Sequence, residues 1–263
     1  MFALLMVGIG IAGHREFLGL ASLLNSGGAP PRTGYAIIVL FALAAFLING
    51  PTGAIAVTMA AVAVPLIVLV FRRNSTGSFA AWSLSVAGSL YLGLPVYAAI
   101  ALRLTSGSTR AHWLNGLAAF ANIGFPTLPR ALAWTLLTIL SVWVGDTSAY
   151  LVGRTIGRHP LAPFVSPNKT VEGAVGGLVG SGVVGGLVAT VGGLGFSLWA
   201  GIAIGCAIGV VGQLGDLAES FLKRQAGVKD SGRLIPGHGG ILDRTDALLF
   251  AFPLAWGIAA ITG

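Results

Sequence analysis

Apolar runs close to the roughly 20 residues that an α-helix needs to cross bilayer hydrocarbon follow one another along nearly the whole chain. They lie at 1–12, which reaches span length only if it continues past His14-Arg15-Glu16 to about 24, and at 35–50, 52–71, 79–102, 131–152, 171–192, 196–217 and 246–261. In hydrocarbon every backbone N–H and C=O must be satisfied within the protein, so successive runs of this length fold as helices. The expected fold is therefore all-α, a polytopic transmembrane helical bundle of about eight spans. Turn formers and charges fill the breaks, as in Asn49-Gly50-Pro51 and Arg72-Arg73-Asn74. The segment 105–129, with Arg110, His112, Trp113 and Asn115, suits an interfacial loop or half-helix better than a crossing. The first run has neither a basic start nor a small-residue cleavage site, and is expected to be a span and not a signal peptide.

Hydrophobic residues make up 55% of the chain and charged residues 9%, against about 25% charged in a soluble domain. Eight helices with short loops use most of the 263 residues, so a single integral domain over 1–263 is expected, with no separate soluble domain. Forty glycines point to close helix packing, since small residues let backbones approach in lipid. The run Gly176-Gly177-Leu-Val-Gly180 then reads as a packing seam and not as a nucleotide loop. The lone cysteine, Cys206, allows no disulfide within the chain and reads as a small packing residue.

The formal charge of +7 raises nucleic acid or anionic lipid as a partner. Its distribution excludes nucleic acid. If the eight spans alternate, the loops at 14–33, 72–78, 153–170 and 218–245 share one side. They hold Arg15, Arg32, Arg72, Arg73, Arg154, Arg158, Lys169, Lys223, Arg224, Lys229, Arg233 and Arg244, and only Arg103, Arg110 and Arg130 fall on the other. Such a bias marks the cytoplasmic face. A multi-pass protein of the cytoplasmic (inner) membrane, with its active site facing the cytoplasm, is expected.

Acids are few, and seven of the eight lie in the second half of the chain. Asp146, Asp216, Glu219 and Asp246 stand within or at the ends of apolar runs. A carboxylate at membrane depth costs several kcal/mol unless it is paired or metal-bound. Pairing with arginines to fix helix packing explains any one of them; all four together favour a functional site. In Gln213-Leu-Gly-Asp216-Leu-Ala-Glu219-Ser220-Phe-Leu-Lys223 polar groups recur every three or four residues, which marks one wet face of a helix end. A matching face occurs at Trp143-Val-Gly-Asp146-Thr147-Ser148-Ala-Tyr150. Residues 166–170, Ser-Pro-Asn-Lys-Thr, open the next helix, where backbone N–H groups, Lys169 and the hydroxyls can meet an anionic phosphate.

Basic groups, acids, a histidine and glycines gather at 220–246. Lys223, Arg224, Lys229 and Arg233 supply the positive charge a nucleoside triphosphate needs. Asp243 and Asp246, three residues apart, share a helix face and can hold a divalent metal. A solvated charged loop is the bland alternative. His238, between glycines, is open to three readings: general base, nucleotide contact or loop packing. Contact or packing is favoured. His14, His112 and His159 read as interfacial.

This stretch closely resembles the signature of the phosphatidate cytidylyltransferases (CDP-diacylglycerol synthases): Ser-x-x-Lys-Arg, Lys-Asp-x-Gly, Pro-Gly-His-Gly-Gly, then Asp-Arg-x-Asp. Here it stands as Ser220, Lys223-Arg224, Lys229-Asp230, Gly232, Pro236 with Gly237, His238, Gly239 and Gly240, Asp243-Arg244 and Asp246. A second block is also similar to that family: Gly145-Asp146 with Ala149-Tyr150, Gly153-Arg154, Ser166-Pro167-Asn168-Lys169-Thr170 and Glu172-Gly173. The resemblance covers a catalytic half at 143–246. The family pattern begins with a further hydrophobic helix carrying positive residues, and this helix is expected to be missing here.

The resemblance implies transfer of CMP from CTP to phosphatidate, giving CDP-diacylglycerol and pyrophosphate for phospholipid synthesis, with Mg2+ and a monovalent cation such as K+. Asp216, Asp243 and Asp246 are the expected metal carboxylates, followed by Asp146 and Glu219; Lys223 and Lys229 join the first three as catalytic groups. Ser166, Asn168, Lys169, Thr170, Arg224, His238 and Arg244 are the expected substrate-binding residues, with Lys169, Lys223, Arg224, Lys229 and Arg244 holding the phosphates. The bilayer as surroundings and a homodimer are further implications. A polytopic lipid kinase would also need acids and basic loops, yet the complete signature argues against it. The Asp-x-x-Asp-Gly-x-x-Ala-Arg run of CDP-alcohol phosphotransferases is absent from the sequence. A transporter using the acids as a cation path is the non-enzyme alternative, against which the acids cluster with basic groups. Replacement of Asp246 by Asn is expected to abolish nucleotidyl transfer in a folded protein; retained transfer in purified Asp246→Asn protein would remove its metal role.

Overall fold

The computed structural model describes residues 1–24, 31–71, 78–109, 129–234, 237 and 239–262. Each of the eight apolar runs forms a helix: α1 Phe2–Leu23, α2 Pro31–Leu47, α3 Pro51–Val70, α4 Ser78–Arg103, α5 Arg130–Ile156, α6 Val171–Thr190, α7 Leu198–Gln225 and α8 Leu242–Thr262. All but α2 are long and apolar enough to cross a membrane, and α2, with 17 residues, is a shorter apolar helix. The all-α, multi-pass expectation therefore holds. Local sequence sets several starts. Pro51 occupies the first turn of α3, where its missing N–H is no loss. Thr170 caps α6, its Oγ1 accepting from Gly173 N at 3.1 Å.

Some boundaries differ from the expectation. Residues 14–23, expected in a loop, belong to α1, because His14 is covered and Glu16 finds partners within the protein, and neither need leave the helix; Arg15 is exposed. His14 is not interfacial: it is 1% exposed, and its ring lies against Gly34 of α2 and Gly88 of α4. Helix α7 continues past Leu217 to Gln225, and α8 begins at Leu242. An antiparallel hairpin, β1 Pro160–Ala162 and β2 Ser166–Thr170, occupies part of what hydropathy reads as a plain loop. Arg72, Arg73, Arg110, His112, Trp113 and His238 lie outside the described residues.

Packing divides into two units, one of Met1–Ala101 with Ala218–Leu249 and one of Leu102–Leu217 with Phe250–Gly263. In the first, α2 packs on α1 and α3; Ile37, Ile38, Phe41, Leu92 and Tyr97 are buried, and Tyr97 OH donates to Gly50 O at 2.7 Å, satisfying the carbonyl before α3. In the second, α6 packs by small residues on both sides. Its Ser181 Oγ donates to Ser141 O of α5 at 2.7 Å, and the Gly145 Cα faces that hydroxyl with no room for a Cβ. On the opposite side Gly185 meets Gly201 and Gly205 of α7, and a Cβ at Gly185 would collide with the Gly201 carbonyl oxygen. Cys206 packs there as expected, its Sγ 3.6 Å from Leu178 O. Lipid chains are as apolar as leucine, so this close approach, not hydrophobic burial, holds the three helices together.

Gly185→Ala is expected to lower stability by about 1–3 kcal/mol, read as a fall in the thermal unfolding midpoint in detergent. Gly8→Ala, at a position with open space around it, is expected to leave the midpoint unchanged or raise it.

Candidate active site

The functional side chains fall into two groups, one in each unit. In the second unit Asp146, Tyr150 and Arg154 recur at four-residue spacing and so share one face of α5. Gln213 and Asp216 project from α7, and β2 supplies Ser166, Asn168, Lys169 and Thr170. Together they line a cavity of about 640 Å3. Lys169 Nζ donates to Asp216 Oδ2 across 47 residues of sequence. Each side chain of the pair keeps 29% of its surface exposed, so an incoming anion or cation can reach either member. Arg154 Nη1 donates to Tyr150 OH at 2.9 Å, and Gln213 Nε2 to Ala174 O at 3.1 Å; both side chains are oriented before any ligand arrives.

The N-terminus of α6 is less available to a phosphate than its sequence suggests. Val171 N donates to His159 O at 2.8 Å, Gly173 N to Thr170 Oγ1, and the Glu172 carboxylate already brings negative charge to this helix end. Glu172 accepts from Arg158 N and His159 N at 3.1 and 3.2 Å and faces His159 Nδ1 at 2.6 Å. An anion in the cavity therefore meets Lys169 and the side-chain donors more than helix amides.

In the first unit the centre is Lys223. Its ammonium lies 2.5 Å from Glu219 Oε2 and 2.6 Å from Asp243 Oδ1, and Glu219 is fully buried. Asp243 Oδ2 accepts from Ser231 N, Ser231 Oγ and Gly240 N at 2.9, 2.8 and 2.7 Å. Both Asp243 oxygens are thus engaged by donors, and the residue expected at a metal holds Lys223 and the loop before α8. Asp246 lies one turn further along α8, its Oδ1 accepting from Ala247 N at 2.7 Å. Lys229, Arg224 and Arg244 are exposed, with Arg224 Nη1 donating to Val228 O at 3.3 Å. Among the described residues no three His, Cys, Asp or Glu side chains stand together as a ready-made metal site.

Sequence reasoning missed Glu16 and Ser231 as members of the first group. Glu16 of α1 accepts from Ile241 N and Leu242 N at 3.0 Å each, and its Oε2 lies 3.1 Å from Ser231 Oγ, whose one proton serves either Glu16 or Asp243. The available signal was a carboxylate inside an apolar run, the criterion that singled out Asp146 and Asp216. Tyr150 and Arg154 were also missed as cavity residues, although their spacing from Asp146 puts all three on one face.

The cytidylyltransferase family matches this chain over residues 1–262, and the chain belongs to that family. Similar proteins named phosphatidate cytidylyltransferase occur in Staphylococcus saprophyticus, 48% identical over 140 residues, and in Staphylococcus haemolyticus and Staphylococcus aureus, each 45% identical over 140 residues. Each match takes in 52% of this chain and 54% of the relative. The chain thus spans about half the length of the curated relatives it matches.

Removing one member of a buried ion pair strands the other charge and costs roughly 3–5 kcal/mol. Lys223→Met is accordingly expected to lower the unfolding midpoint sharply, and Lys223→Met combined with Glu219→Gln to recover part of the loss. Equal midpoints for wild type and Lys223→Met would show that the ammonium does not hold these carboxylates.

Proposed function

We propose that the protein transfers CMP from CTP to phosphatidate, releasing pyrophosphate and forming CDP-diacylglycerol, at the cytoplasmic face of the cell membrane. The observation that carries this reading is the cavity in which Lys169, paired with Asp216, stands with Asp146 and the Ser166, Asn168 and Thr170 side chains. A nucleotidyl transfer needs cationic and hydrogen-bonding groups for phosphates together with carboxylates for a metal, and this chain of the cytidylyltransferase family carries both in one place. The name of the staphylococcal relatives supplies phosphatidate as the acceptor.

A phosphatidate oxygen attacks the α-phosphorus of CTP; the new P–O bond forms as the bond to the pyrophosphate oxygen breaks. The phosphate of phosphatidate is ionised near neutral pH, so no strong base is required, and catalysis rests on positioning and charge neutralisation. Lys169 neutralises phosphate charge in the cavity. Thr170 Oγ1 uses a lone pair as the α6 cap and keeps its proton for a substrate oxygen. Lys223 has three N–H donors, two of them directed at Glu219 and Asp243, which leaves one for a phosphate. In the first unit the exposed Arg224, Lys229 and Arg244 offer further positive charge for phosphate.

Asp146 and Asp216 fit a hard divalent cation. Mg2+ is characteristically held by one or two carboxylates with its other positions filled by water and substrate phosphate oxygens, and two carboxylates with open space between protein walls make such a donor set. When bound, Mg2+ supplies neutralisation of the triphosphate and of the leaving pyrophosphate; a K+ ion beside it belongs to the same reading.

The test is purified protein with radiolabelled CTP, phosphatidate and Mg2+, following label into the lipid phase with and without chelator. Metal-dependent labelled lipid is expected, and Lys169→Met is expected to lose about 100-fold or more in kcat/KM. Label that stays aqueous while folded protein binds CTP would overturn phosphatidate as the acceptor.

A further inference from the structure

We infer that Glu16 is a positioning residue: from α1 it clasps the loop before α8 and, through Ser231 and Asp243, sets the place of the Lys223 ammonium. The inference rests on the cytidylyl-transfer reading only for its kinetic consequence.

One carboxylate receives two backbone donors and faces a hydroxyl whose single proton it shares with Asp243. Glu16 Oε1 accepts from Ile241 N at 3.0 Å and Oε2 from Leu242 N at 3.0 Å, with Ser231 Oγ 3.1 Å from Oε2. Ile241 N and Leu242 N belong to the opening of α8, where backbone donors have no partner inside the helix and negative charge is favoured. An acid from another helix thus does the work usually given to a local cap. The next residue along α8, Asp243, carries the other half of the clasp. Ser231 Oγ lies within hydrogen-bonding distance of both Glu16 Oε2 and Asp243 Oδ2, and Asp243 Oδ1 receives Lys223.

The loop is shaped to admit this carboxylate. A Cβ on Gly232 or on Gly240 would run into the Glu16 carboxylate, so two glycines of the 220–246 stretch are needed at these positions by a residue more than two hundred positions earlier in the chain. Leu242 is fully buried and a Cβ at Gly13 would touch it at 3.2 Å. The α8 start is therefore seated on α1 by apolar packing as well as by charge.

Glu16→Gln keeps the size of the side chain but turns one acceptor into an N–H2 group that must face a donor. Ser231→Ala removes only the hydroxyl between Glu16 and Asp243. Both proteins are compared with wild type by unfolding midpoint, steady-state label transfer and amide exchange. Each substitution is expected to lower kcat about tenfold with KM for CTP within about twofold. The double variant is expected to be no worse than the poorer single one, because the two act in series. Faster exchange at the described amides of 239–242 is expected in Glu16→Gln without a matching fall in midpoint. Wild-type kcat in Glu16→Gln, losses that multiply in the double variant, or unchanged exchange would overturn the inference. If wild-type protein makes no labelled lipid, the transfer reading fails by itself and the exchange measurement decides the clasp. If Glu16→Gln does not fold, Ser231→Ala carries the same kinetic and exchange tests.

Discussion

A positive charge removed from water must be met by negative charge and by fixed dipoles, and Lys223 imposes that requirement on the first unit. Its side chain is 12% exposed, and the ammonium sits between a fully buried Glu219 side chain and an Asp243 side chain at 8% exposure. Two carboxylates against one ammonium leave an excess of negative charge, which donors must absorb. Ser231 and Gly240 do so at Asp243. Ser231 and Gly240 are therefore held in place: they have to bring hydroxyl and amide donors to the acids, and Gly232 and Gly240 have to leave room for a carboxylate. Specificity of arrangement, more than net stability, is what a buried network of this kind can provide.

The second unit solves a different problem. Its helices have little hydrophobic incentive to associate in lipid, and they approach through glycine, alanine and serine where backbone meets backbone. One consequence is positional precision: α6 cannot slide along α7 without driving a side chain into a carbonyl. That rigidity reaches the cavity, because β2 leads directly into the capped start of α6, and Lys169 and Thr170 are the last residues before it. The same helices that pack tightly at their small residues diverge enough at Asp146, Tyr150, Gln213 and Asp216 to leave space for a ligand. Membership of the cytidylyltransferase family and the cavity's mixture of carboxylates and phosphate-binding groups agree with a nucleotidyl-transfer chemistry.

Much of this was legible before any coordinates. Hydropathy alone marked the eight helices among the described residues, since a run of apolar residues in lipid has one local way to satisfy its backbone. The acids at membrane depth were likewise visible, and Asp146, Asp216, Glu219, Asp243 and Asp246 each belong to one of the two side-chain groups. Their partners were harder to see. Lys169 with Asp216 joins positions 47 residues apart, and nothing in a one-dimensional pattern distinguishes that pairing from Lys169 with Asp146. The hairpin at 160–170 was hidden because a short polar ribbon has no hydrophobic alternation to reveal it. Glu16 was placed in a loop because its neighbours His14 and Arg15 end the apolar run on a hydropathy scale, which has no means of counting partners supplied from elsewhere.

The sequence by itself determined which segments enter the membrane and which chemical groups the protein has for phosphate and metal, because both follow from local composition and from the cost of bare polarity in lipid. Tertiary structure decided how those groups are employed: that Asp243 orients Lys223 with both of its oxygens occupied, that Asp216 is held by Lys169 in an open cavity, and that α1 supplies the carboxylate for the start of α8. The physical reason is that a side chain's role depends on which donors and acceptors come within about 3 Å of it, and over separations of tens to hundreds of residues only the packing of the helices sets that.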